Sequence, residues 1–288
     1  MQISPPESPK LSGFTLIELS IVLVIIGLLI GGILVGRDLI SAATIRAQIS
    51  QIDKYNSAVN TFRLKYNALP GDMLPATATA LGFFARTGGT GDGDGNGVIG
   101  GLTATPIGGA FYLLGGETVL FWTDLSKAGL IDASLNDSND ALVNGGTTDA
   151  QYAAELPHAK IGNGNYVWVN GYYYDANSNF VTGNGFQIIA VAGMGTPLFD
   201  LGEVQIYSGI TPIEAYNIDK KIDDGLPLSG KVLAMMPDST FPTTDPGFSV
   251  NTTTSTLCVT GAVPYTYNTG TKGVSTSYNC SLRFQAQW

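Results

Sequence analysis

Histidine, cysteine and charge are all scarce in this chain. Of 288 residues, one is histidine (His158), two are cysteine and 13% are charged. A zinc site draws on several nitrogen or sulfur ligands, which this inventory does not supply. There is no G-x-S-x-G nucleophile turn and no G-x-x-x-x-G-K-[ST] phosphate loop. The glycine-rich stretch from Gly88 to Gly101 lacks the lysine of a nucleotide loop. These absences argue against an enzyme. Basic residues number 14 against 23 acids, a formal net charge of −9. The phosphate-neutralising footprint of a nucleic-acid binder is therefore missing, and no nucleic-acid partner is expected. Proline is absent from Phe14 through Leu69, so nothing in that stretch breaks a helix.

What is present begins with a 22-residue apolar run, Phe14 to Val35, with one charge, Glu18. At about 1.5 Å per residue the run spans roughly 33 Å, enough to cross a bilayer. A carboxylate inside such a helix costs roughly 2.5–3.5 kcal/mol on insertion scales, so it calls for a reason. A secretory signal has a shorter apolar region with the small residue after it. Here the small residue, Gly13, comes first. A cut after Gly13 discards the polar leader, Met1 to Gly13, and leaves the helix on the mature protein with Phe14 at its amino terminus.

The run Gly13-Phe14-Thr15-Leu16-Ile17-Glu18-Leu19-Ser20, with the apolar residues that follow, closely resembles the class III leader of type IV prepilins and type II secretion pseudopilins. The resemblance implies cleavage after Gly13 and methylation of Phe14 by a membrane prepilin peptidase and methyltransferase. It implies an assembly role for Glu18, whose carboxylate pairs with the Phe14 ammonium of another subunit. Each charge is costly alone in lipid and less so when paired. The implied partners are identical or homologous subunits and an inner-membrane assembly platform. The implied location is a single-pass inner-membrane precursor, then a periplasmic or extracellular filament. The implied fold is α+β: a long amino-terminal helix packed on an antiparallel β-sheet head. A single-pass anchor with a stray acid is the competing reading. Many members of this family carry a proline in the second half of the apolar segment, whereas this chain has Gly27, Gly31, Gly32 and Gly36. Those glycines serve either close helix packing or local unwinding.

Beyond Gly36 the helix turns amphipathic. Ile45, Ile49, Ile52, Tyr55, Val59, Phe62 and Tyr66 recur at spacings of three and four, and Pro70-Gly71 ends the run. The expected organisation is a leader (1–13), a membrane and filament-core segment (14–36), an amphipathic continuation (37–66) and a head (67–288). Within the head, residues 117–128 read as a helix with Gly129 at its C-cap. Tyr166–Val169, Tyr172–Tyr174, Phe186–Val191 and Lys231–Met235 read as strands. Residues 238–279 read as a loop region.

Cys258 and Cys280 enclose 21 residues. In a periplasmic compartment a disulfide is expected, and the resemblance to type IV pilins implies the same. Two buried thiols are the alternative. Asp92-Gly93-Asp94-Gly95-Asn96-Gly97 matches the opening of a calcium loop, D-x-[DN]-x-[DN]-G, although the twelfth position is Thr103 and not glutamate. Asp92, Asp94 and Asn96 are thus candidate calcium ligands, set against a plain acidic turn. Asp219, Asp223 and Asp224 form a second acidic cluster, read as a turn before Pro227 that holds a cation, caps a helix or meets a neighbouring subunit's basic patch. No cofactor is required by the sequence. Trp168 and Tyr172–Tyr174 are expected in the sheet, with a carbohydrate-binding face as the rarer use. The functional expectation is a minor or specialised subunit of a type IV pilus-like filament. The alternatives are a type II secretion pseudopilin and, further off, a membrane-anchored adhesin.

Overall fold

The computed structural model describes residues 14–88, 92–101, 115–135, 149–174, 180–191, 197–200, 205–207, 209–235, 258–260, 265–270 and 280–288. In chain order the elements are α1 (Leu16–Tyr66), α2 (Pro75–Ala80), α3 (Glu117–Lys127), α4 (Asp149–Glu155), β1 (Asn165–Tyr174), β2 (Phe180–Val191), β3 (Pro197–Asp200), β4 (Gln205–Tyr207), α5 (Pro212–Ile222), β5 (Val232–Met235), β6 (Val259–Thr260), β7 (Thr266–Tyr267) and β8 (Ser281–Gln285). The expected α+β arrangement of a long amino-terminal helix and an antiparallel sheet is present. The chain divides into two compact units, Met1–Ala43 and Thr44–Trp288.

In the first unit the described part of α1 is apolar and exposed: Leu23, Leu28, Ile33 and Leu39 are each more than half accessible. Among the described residues α1 alone is long and apolar enough to cross a membrane.

In the second unit α1 buries one stripe. Ile45, Ile52, Tyr55, Val59 and Phe62 are buried, and Ile49 and Tyr66 pack partly against the same core. Each such side chain contributes roughly 1.5–3 kcal/mol on burial. Two glutamines share the stripe. Gln48 Oε1 accepts from Ile161 N (3.0 Å), while Gln51 Oε1 accepts from Lys160 N (2.9 Å) and its amide donates to the His158 carbonyl (2.8 Å). They fasten the turn before β1 to the helix, satisfying backbone groups that burial would otherwise orphan. The core centres on aromatics from three elements: Tyr55 of α1 meets Trp122 of α3 edge-on at 4.8 Å, and Trp122 lies 5.8 Å from Phe186 of β2.

The main sheet has six strands, with β2 at its centre. β1 runs antiparallel along one edge of β2; β8 and then β4 follow along the other, because Ala190 pairs with both Asn165 and Tyr207. β5 adds to β8, and β3 to β4. The two expected Tyr-rich strands are one strand, β1, interrupted by a bulge between Asn170 and Tyr172. At that bulge Gly171 N donates to Ile99 O (2.8 Å), and a Cβ on Gly171 would collide with Val98. The glycine thus lets the 92–101 loop dock on the sheet. Trp168 is buried in the core, and Tyr172 and Tyr173 are half-buried, as expected of sheet packing.

Cys258 and Cys280 are disulfide-bonded. The bond joins the base of the small β6–β7 hairpin to the start of β8. Much of residues 238–279 lies outside the described residues; within the rest, that hairpin is the regular structure.

Candidate functional site

The leader through Gly13 lies outside the described residues. Immediately after it, Thr15 and Glu18 form a reciprocal capping box on α1. Thr15 N and Oγ1 each donate to Glu18 Oε2 (2.8 Å), and Glu18 N donates to Thr15 Oγ1 (3.3 Å). The Glu18 carboxylate therefore satisfies the Thr15 amide, and the Thr15 hydroxyl that of Glu18, while Glu18 stays exposed. Phe14 is 92% accessible.

In the head the acidic loop is built differently from its motif. Asp92 turns away: its Oδ2 accepts from Thr87 N and Oγ1. Asp94 instead meets Asp72, next to Gly71 in the turn after α1, and Glu117, the first residue of α3. One carboxylate oxygen from each of the three lies within 4.8 Å of the others. Asn96 meets the acids as a donor rather than as an oxygen ligand, with Asn96 N donating to Asp72 Oδ1 (3.1 Å) and Asp94 Oδ1 (3.0 Å). Its own amide donates to Asp94 Oδ2 (2.8 Å). Gly97 N donates to Asp72 Oδ2 (2.8 Å). Glu117 Oε1 accepts from Gly93 N (2.9 Å) and Oε2 from Gly100 N (2.8 Å).

Asp72 and Glu117 are buried and Asp94 half-buried. Burial raises the Asp72 carboxyl to about 6, partly offset by backbone donors. Burial raises Glu117 to about 8, with the charge of Asp72 adding to it. Among the described residues no lysine or arginine is ion-paired with any of the three; the salt bridge there is Arg86–Asp124. Hard oxygen donors without nitrogen or sulfur fit calcium or magnesium rather than zinc.

A buried clamp sets the position of Asp72. Gly71 N donates to Asp124 Oδ2 (2.8 Å), Arg86 Nη1 donates to Gly71 O (2.8 Å), and Arg86 pairs with Asp124 at 2.9 Å, both side chains fully buried. Gly71 has φ +83°, and a Cβ there would strike the Glu117 carbonyl. Only glycine brings the chain this close to α3.

The second cluster differs from its expected turn. Asp219 sits on α5, whose amino terminus is a capping box between Thr211 and Glu214 with Pro212 in its first turn. Thr-Pro-x-Glu is a helix-start signature that the sequence reading passed over. Asp219, Asp223 and Asp224 also bring carboxylate oxygens within 4.8 Å of one another. Each has a protein donor: Tyr267 Oη to Asp219 (2.8 Å), Lys231 N to Asp223, and Ser229 Oγ to Asp224 (2.7 Å). This cluster ties the β6–β7 hairpin to α5. Asp72 and Glu117 were missed because they stand 22 and 23 residues from Asp94; the acid immediately after the Pro70-Gly71 turn was the available signal.

Residues 10–34 match the prokaryotic N-terminal methylation motif. The match covers Gly13 to Ser20, the residues on which the resemblance to the class III prepilin leader rests. Together with its apolar amino-terminal helix, the motif fits an inner-membrane precursor that becomes a filament subunit. No curated protein and no solved structure matches the chain.

Proposed function

We propose that this protein is a minor or specialised structural subunit of a type IV pilus-like filament. A prepilin peptidase cuts after Gly13, the Phe14 amine is methylated, and the subunit polymerises through its amino-terminal helix. The observation that carries this reading is the methylation motif at residues 10–34, which runs into the apolar, exposed start of α1. Glu18 and Phe14 are the assembly residues: the Glu18 carboxylate of one copy receives the ammonium of another. The family's role is structural, so the protein is not an enzyme. The large head favours a minor or specialised role, and the disulfide favours a pilus over a secretion pseudopilus. The type II secretion pseudopilin is the second reading.

Asp72, Asp94 and Glu117 would hold a calcium ion, whose charge offsets the mutual repulsion of three crowded carboxylates. Its role is to rigidify the join between α1, α3 and the sheet, not to react. Amino-terminal sequencing of protein from membranes tests the main reading: methylated Phe14 is expected at position one, and a mature chain still starting at Met1 overturns it. Glu18→Ala should leave cleavage intact and abolish filaments.

A further inference from the structure

A cavity of about 830 Å³ lies where α1 ends, within the second unit. That volume is in the range of small-molecule sites. The last turn of α1, the chain leading to Asp72 and the 95–97 loop line it. Its walls are firm. Asn67 stops α1 in the left-handed region (φ +52°), and its N donates to Arg63 O (2.8 Å). Asn184 Oδ1 accepts from Ile99 N (2.8 Å) and its amide donates to Gly97 O (2.9 Å), which pins the loop to β2. Asp72 accepts from the backbone amides of Asn96 and Gly97, so it is wall here rather than a free acceptor. A Cβ on Gly97 would meet nothing within 4 Å, so the space beside the loop is open.

The groups left free are few and specific. Arg63 and Asn67 are exposed, and among the described residues neither side chain has a protein partner. Asn60 Nδ2 donates to the Asn56 carbonyl (3.0 Å), which leaves Asn60 Oδ1 as an acceptor. The rest is apolar. Leu64 is 90% accessible and Leu69 is half-buried. The indole nitrogen of Trp288 is buried, so any part of that ring meeting the cavity is carbon. A guanidinium fork matches a carboxylate in two parallel hydrogen bonds. Side-chain amides that donate and accept match hydroxyls, which do both. Among the described residues the lining holds no second cation, which disfavours polyphosphates and nucleic acid. It also offers no free carboxylate for the ammonium of an amino acid.

We propose that this cavity binds an acidic sugar, a uronic- or sialic-acid unit of a glycan. Its carboxylate sits on Arg63, its hydroxyls on Asn67 and Asn60, and its C–H face on the Leu64 side of the wall. One ligand with a single negative charge, several hydroxyls and apolar C–H surface answers every free group in the lining. The inference goes beyond the filament reading and does not depend on it, because every residue it uses belongs to the second unit.

The test presents the full chain, in detergent and with millimolar calcium throughout, to immobilised oligosaccharides. The probes are galacturonate, glucuronate-terminated and sialate-terminated chains, each beside its carboxyl methyl ester. Retention on at least one acid form is expected, about tenfold or more above its ester, as fits the loss of a charge-assisted hydrogen bond. The uronate and sialate arms report separately which source the site takes. Arg63→Gln should weaken that retention about tenfold or more, and Arg63→Lys, which keeps the charge but not the fork, by less. Asn67→Gly keeps the left-handed backbone and removes the amide, so binding should fall while the urea midpoint holds. Both positions are exposed, so the fold should survive each change, and the urea midpoint checks it. No retention on any acidic sugar overturns the proposal. So does equal retention on the esters, or binding indifferent to Arg63→Gln, as an ion-bridged sugar would give. Loss of sugar binding in chains that carry methylated Phe14 removes this inference alone. Sugar binding by chains that still start at Met1 removes the filament reading alone.

Discussion

Replacing Arg86 with methionine probes the clamp that presents Asp72. Arg86 and Asp124 are both fully buried and pair at 2.9 Å, and each also holds one backbone group of Gly71, its carbonyl and its amide respectively. Removing one member of a buried pair leaves an uncompensated charge and costs about 3–5 kcal/mol. The lost donor to the Gly71 carbonyl adds about 1 kcal/mol. For a unit of this size, about 1 kcal/mol moves Tm by roughly 2–4 °C, so a drop of about 10 °C or more is expected. Burial already pushes the Asp124 carboxyl up against the pull of Arg86. Without the guanidinium it takes up a proton more readily, so the loss should be smaller in mild acid than at alkaline pH. Arg86→Met/Asp124→Leu should lose much less than the sum of the two single changes, by more than about 2 kcal/mol, because neither charge is stranded. Urea unfolding of the full chain in detergent, as a double-mutant cycle, measures this. Additive losses, or a single change costing under about 1 kcal/mol, would refute the clamp.

Calorimetry should register calcium binding to the full chain, and Asp72→Asn or Glu117→Gln should abolish it, whereas Asp92→Asn should spare the ion and only loosen the turn to Thr87. Asp72 and Glu117 have folded values of about 6 and about 8, raised above their ordinary carboxylate values by burial. Their contribution to stability is therefore fully present below about pH 4 and is lost as pH rises through 6 and then 8. Unfolding followed without calcium should show the head weakening across that window, and millimolar calcium should flatten the profile; a profile already flat in chelator contradicts the assignment. Changing Cys258 and Cys280 to serine together should cost about 3 kcal/mol, seen as a lower urea midpoint. Gly13→Ala should leave an unprocessed band on a gel.

The long helix was legible in the sequence because one periodicity runs unbroken from Ile45 to Tyr66 and no proline interrupts it. Helix α3 was legible from Val119, Leu120, Trp122 and Leu125 followed by Gly129 at its C-terminal end. Strand β8 was not: its centre is Arg283, fully buried with no carboxylate partner among the described residues and held by Asn170 and the Gly183 carbonyl. Ser281-Leu282-Arg283-Phe284-Gln285 does alternate polar and apolar residues, but the run is short, and its polar positions Ser281 and Arg283 are buried in the fold, which local spacing does not encode. The acidic loop was legible as chemistry but not as geometry. Its motif named Asp92, yet backbone closure at Thr87 takes that carboxylate, and the fold supplies Asp72 and Glu117 in its place. Those contacts come from packing between distant segments, which local spacing does not encode.

β8, which bridges β2 and β5, comes last in chain order among the described strands. The β1, β2, β3 and β4 pairings form between segments near in sequence, whereas β5 meets β2 only through residues 281–285. Pairings between such remote segments are slow to form. Joining β2 to β5 thus depends on residues 281–285, and loss of that segment would leave an unpaired edge on each of the two strands.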